Sequence, residues 1–193
     1  MTRTAATATA IVGVSDHAGW AVLMTVARDG ALLDRRRVEI VDEALPKMPH
    51  HHDAQGLPLE EGVALVGRVR TSAERCSGAQ LETLAGAVEK EIVGISLRAC
   101  PPLPETVAER LTNYRAQNVA DWVMYRQALA NAATARGWFV HWYDSKRVFA
   151  DAARALGRPS IDALLAKTGA ELGPPWQKDH KMAMAAAIAA AAR

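Results

Sequence analysis

The chain has 193 residues, half of them hydrophobic, enough for one substantial core that needs no disulfide or structural metal. Lys and Arg number 23 against 21 Asp and Glu, so the net charge of +2 does not mark a nucleic-acid binder, though a local basic cluster is compatible with it. Cys76 and Cys100 lack metal-type spacing, the first ten residues carry no apolar leader core, and no apolar run reaches the roughly 18 residues of a membrane span, so a reduced, cytoplasmic setting without a membrane partner is expected.

Residues 8–14 read as a continuous buried strand, and "WAVLMTVA" (20–27) as a second. Asp29-Gly30 is a hairpin signal leading into a third strand over 31–41, where Arg35, Arg37 and Glu39 share one face and Arg36 marks an edge. The Pro-bracketed segment 42–58 is a long loop, functional or flexible by its length. A helix is predicted over 59–76, a break at Ser77-Gly78, and a short helix over 80–89. "EIVGISL" (91–97) is a β-branched strand that "CPPLP" ends. One long helix follows over 105–136, stopped by Gly137, then a strand over 138–144. Helices at 145–156 and at 160–168, the latter capped by Ser160, precede a last helix opened by Gly-Pro-Pro at 173–175.

The order β-β-β-α-β-α-β-α predicts an α/β three-layer domain over 1–193. Its mixed five-stranded sheet is an antiparallel meander followed by parallel strands, flanked by helices. Sites in such sheets lie at the carboxyl ends of strands. Asp16 follows the first strand, and Asp179 and His180 open the last helix, which in this topology can pack across the sheet beside strand one. Two carboxylates brought together there repel unless a cation joins them, and such oxygen-rich sites suit Mg²⁺ or Mn²⁺.

Three stretches carry a resemblance. "IVGVSDHAGWAVLM", "VGISLRACPPLPETVAERLTNYRAQNVADWVMYRQALANAATARGWFVHWYD" and "PPWQKDHKMAMAAAIAAA" stand in the order of the first hairpin, the central strand–helix–strand and the closing helix of the ribonuclease H-like superfamily. The chain most resembles RuvC-type Holliday-junction resolvases. That resemblance implies a metal-dependent nuclease with Asp16 as first acid and Asp179 or His180 on the closing helix. It also implies a second acid near the end of the fourth strand, where Ile95-Ser96-Leu97 stand instead. Three residues after Asp179 and His180 come Met182 and Ala183, not acids. Holding two ions roughly 3.5–4 Å apart needs several carboxylates, so the site is degenerate.

A remodelled metal site is the compensation this reading offers: Asp16, His51, His52, Asp53 and Asp179, with His180 beside them. Imidazoles favour Mn²⁺ or Zn²⁺ over Mg²⁺. Asp16, Asp179 and His180 are then the catalytic candidates, and Arg98, Arg115, Lys178 and Lys181 the nucleic-acid contacts. Asp16→Asn is expected to leave the fold intact and raise its melting temperature. Arg110, Arg115 and Arg126 on the long helix remain open between phosphate contacts and solvated faces. Two functions compete: an unorthodox metal-dependent phosphodiesterase acting on nucleic acid, or a catalytically inactive nucleic-acid-binding or assembly module, with a homodimer compatible with either. An actin-like ATPase shares the strand order but needs a second domain that this length does not provide.

Overall fold

The computed structural model of the chain describes residues 9–191. Residue 8 of the first expected strand, the residues before it on which no leader was expected, and the end of the alanine tail lie outside them. Five strands form one sheet: β1 (Thr9–His17), β2 (Trp20–Ala27), β3 (Leu32–Glu39), β4 (Glu91–Arg98) and β5 (Phe139–Tyr143). Their order is β3-β2-β1-β4-β5, with β2 antiparallel to β1 and β3, and β4 and β5 parallel to β1. This is the mixed five-stranded sheet, a meander followed by parallel strands, that the order of elements predicts. Tight turns make the meander: Gly19 and Gly30 both take positive φ, which a side chain disfavours.

The helices fall on two faces. On one lie α1 (Leu59–Ala87), α2 (Val107–Thr112) and α3 (Tyr114–Ala135); on the other α6 (Lys178–Ala190) runs against β1 and β2, with α4 (Val148–Ala155) beside it. The period of two along β1 divides its residues between two cores. Ala10, Val12 and Val14 join Val66, Tyr125 and Leu129 on the α3 face. Ile11 joins Met184, Ala187 and Ile188 on the α6 face. Gly13 makes the second contact possible: a Cβ there would stand 1.8 Å from the Ala183 carbonyl oxygen. An alanine-rich helix and a glycine let two backbones touch.

Four boundaries differ from expectation. Helix α1 runs unbroken through Ser77 and Gly78; Ser77 is buried, and the packing of α1 on α3 outweighs the roughly 1 kcal/mol that a mid-helix glycine costs. The long helix over 105–136 is instead two. Thr106 and Glu109 form a capping box for α2, and Asn113 Oδ1 accepts the Arg115 and Ala116 amides to start α3. Pro174 and Pro175 precede α6, which begins at Lys178. Before it comes α5 (Asp162–Leu172), where Ser160 Oγ accepts the Asp162 amide. The 42–58 loop contains one π-helical turn, Pro49–Asp53, packed on α1 and α3 with His50 buried. Among the described residues no helix is long and apolar enough to cross a membrane.

Candidate functional site

At the carboxyl end of β1 the alternation of side chains decides which groups meet. Gly13, Ser15 and His17 share the α6 face, while Asp16 points to the α3 face. Ser15 Oγ donates to Asp179 Oδ1 at 2.9 Å, and His17 Nε2 stands 3.2 Å from Asp179 Oδ2, off the line of a good hydrogen bond. The His17 ring is held by a parallel stack on Trp20 at 3.9 Å, and the Arg37 guanidinium lies 4.2 Å from the Trp20 ring centre. Arg35 donates to the carbonyls of Gly173 and Pro175, tying the segment before α6 to β3. Rather than forming a merely solvated face, this arginine helps to set where Asp179 lies.

Asp16 has a different partner. Its side chain is wholly buried, and Oδ2 accepts from Arg126 Nε at 2.8 Å. Arg126 also reaches the Ala99 carbonyl at 3.4 Å, and Asp16 Oδ1 has no partner. The nearby Cys100 thiol is pushed up from its ordinary value by burial, which outweighs the opposing pull of Arg126. The expected meeting of Asp16 with Asp179 does not occur, because consecutive β-strand residues face opposite sides. The β1 side chain that hydrogen-bonds Asp179 is that of Ser15.

The same face of β4 carries Ser96, paired in register with Gly13, and its hydroxyl lies 3.0 Å from His141 Nδ1. Arg98 ends β4 beside Tyr143, whose hydroxyl donates to the Val14 carbonyl. Burial holds that phenol above its ordinary value, and Arg98 opposes the shift. His180 is buried, and its Nδ1 accepts the Gln177 amide at 3.2 Å. Burial lowers its pKa, Arg35 lowers it further, and Asp179 partly offsets both.

The loop histidines are placed elsewhere. His50 Nδ1 pairs with the buried Asp121 at 2.8 Å, and the His51 amide donates to the same carboxylate. His51 and His52 pack edge to face against each other, and His52 and Asp53 are exposed. Among the described residues no three His, Cys, Asp or Glu side chains converge to hold a metal ion. The remodelled set of Asp16, His51, His52, Asp53 and Asp179 is therefore not assembled: the π-helical turn is anchored to Asp121 on α3, and Asp179 lies across the sheet. Nor do the residues fit the two-metal centre that the resemblance implies. One carboxylate, Asp179, bonded by Ser15, shares its face of the sheet with Ser15 and Ser96 where further acids are needed.

Of the proposed nucleic-acid contacts, Arg115, Lys178 and Lys181 are exposed and Arg98 is half-buried. Sequence reasoning did not assign Arg126, Asp121 or Ser15 to any site. Arg126, set among Met124, Tyr125, Ala128 and Leu129 on α3, was the available signal for a buried carboxylate partner.

No protein-family model matches the chain, and no curated protein matches it. Among solved structures it is similar to RuvC of Thermus thermophilus in complex with a Holliday junction substrate, at 16% identity and a TM-score of 0.47. It is likewise similar to a second Thermus thermophilus RuvC structure, at 16% identity and a TM-score of 0.48. Each alignment covers 95% of this chain and 93% of the other. The likeness is coarse, and no residue role is carried over on it.

Proposed function

We propose that the chain is a non-cleaving ribonuclease H-like module that binds nucleic acid along the carboxyl edge of its sheet. The observation that carries the loss of cleavage is the Asp16–Arg126 ion pair: a guanidinium already neutralises the carboxylate, inside the core and on the face away from Asp179. A hydrolytic metal centre needs ligands that converge and an open coordination position. Here the carboxylates diverge, so the metal-dependent phosphodiesterase reading loses its site.

Binding is supported by what the same edge exposes. Tyr114, at the start of α3, is 77% exposed, and the exposed Arg115 follows it. Helix α3 leads through its loop into β5, antiparallel to it, so its first turn lies beyond the carboxyl ends of the strands. Lys178 and Lys181 open α6 at the same end, and neither has an ion-pair partner among the described residues. A projecting ring beside a cation suits base stacking, and unpaired lysines suit phosphates.

Fluorescence anisotropy with labelled single-stranded and duplex DNA, in EDTA, tests this reading. Salt-dependent binding without metal is expected, weakened about tenfold by Tyr114→Ala with Arg115→Ala. Replacing Lys178 and Lys181 with Gln is expected to flatten the salt slope by about two. No binding at low salt, or cleavage of the same DNA when Mg²⁺ or Mn²⁺ replaces EDTA, would overturn it.

A further inference from the structure

A second polar centre lies on the α3 face, away from the carboxyl-edge residues and independent of the reading above. Asp121 is fully buried, and its carboxylate accepts three donors: the His50 amide at 3.0 Å, His50 Nδ1 at 2.8 Å and the His51 amide at 3.0 Å. An ionised carboxylate only accepts, so Nδ1 carries the proton and the tautomer of His50 is fixed. His50 is 1% exposed, and its other ring nitrogen, Nε2, is buried without a partner. A purely structural anchor for the π-helical turn explains the amides and Nδ1, but not the unmatched Nε2.

His50 lines a cavity of about 210 Å³ between α1, α2 and α3, together with Arg70, Arg110, Glu74 and Glu105. Arg110 spends Nε and Nη2 on the carbonyl oxygens of Pro104 and Glu105, neutral acceptors, and makes no ion pair among the described residues. Arg70 has no ion-pair partner among the described residues. A cavity-lining imidazole with one unmatched nitrogen, beside two guanidiniums that make no ion pair among the described residues, calls for an oxyanion that can also share a proton.

We propose that this cavity binds a phosphate monoester group, one oxygen sharing a proton with His50 Nε2 and the others accepting from Arg70 and Arg110. With Nδ1 committed to Asp121, Nε2 is the nitrogen left to accept, and the P–OH of a singly charged phosphate satisfies it. A carboxylate or sulfate brings no such proton at neutral pH. Glu74 and Glu105 at the same lining disfavour the higher charge of a di- or triphosphate, and the small volume does so too. The group can arrive on a free nucleoside monophosphate or on the terminus of a nucleic-acid strand.

The test is NMR of the full chain with ¹⁵N-labelled histidine, the His50 resonance being assigned by its loss in His50→Gln. Inorganic phosphate is expected to shift the Nε2 resonance saturably, with sulfate at least about tenfold weaker. Arg70→Gln, a change at an exposed helical position, should weaken phosphate about tenfold while leaving the remaining spectrum unmoved. A nucleoside 5′-monophosphate and a 5′-phosphorylated oligonucleotide, the latter against its unphosphorylated form, then identify which source binds more tightly. No saturable shift, equal response to sulfate, or indifference to Arg70→Gln would overturn the proposal.

Discussion

The two faces of the sheet at the end of β1 treat a carboxylate in opposite ways. On the α3 face Asp16 is sealed in the core with a guanidinium as its partner. On the α6 face Asp179 is partly exposed, bonded by a hydroxyl and close to an imidazole. Asp16 cannot move without leaving Arg126 uncompensated, whereas Asp179 on the α6 face is 30% exposed and within reach of water. Asp16, placed like a catalytic acid, is thus paired inside the core, and the α6 face carries the buried Ser15 and Ser96 in place of further acids.

The largest effect should come from breaking the sealed pair. Arg126→Met leaves a buried carboxylate unpaired and should destabilise the fold by about 3–5 kcal/mol in urea denaturation. Asp16→Asn should also lower stability, reversing the sequence-based expectation that it would raise the melting temperature, because the residue is the counterion of Arg126 and not one of two repelling acids. Combining Asp16→Leu with Arg126→Met should recover most of the loss, since well-packed apolar groups often replace a buried pair without penalty. Two losses that simply add would contradict the pairing.

Next in size is Gly13→Ala. The added methyl meets the backbone of α6 at Ala183 and Ala187, which cannot swing aside as a side chain would. A loss of about 3 kcal/mol is expected, with the far face unaffected. A neutral result would mean that α6 sits further from the sheet than described.

The smallest effect concerns His180, on the α6 face. Its folded-state pKa is depressed by burial and by Arg35. The unfolded chain therefore binds the proton more readily, and stability should fall as pH drops below about 6.5, the ordinary value for histidine. Above that pH both states are neutral and the contribution vanishes. His180→Gln should flatten this acid limb in melts between pH 7 and 5; an unchanged slope would assign it to other groups.

Much of the architecture was legible because it rests on local signals. The buried runs of β1 and β2, the Asp29-Gly30 turn, the β-branched β4 and the stop at Gly137 each follow from residue preference and periodicity. The site was less legible for a reason built into strands: a shift of one residue changes the face. Asp16 sits where an acid is sought, but Gly13, two residues before Ser15, marks the face that the closing helix presses against. Helix ends were misplaced where capping by Asn113 and Thr106 overrode apolar continuity. The histidine loop read as a ligand cluster because four polar residues adjoin in sequence, yet the buried Asp121, 70 positions away, takes His50 and the His51 amide for itself.

Manganese binding measured by electron paramagnetic resonance addresses the central claim most directly. The unmodified chain should show no saturable Mn²⁺ site, while Ser15→Asp combined with Ser96→Glu, which places two acids on the face of Asp179, should create one. A saturable site in the unmodified chain that disappears in Asp16→Asn would contradict the account, because it would mean that Asp16 serves a metal ion and not Arg126.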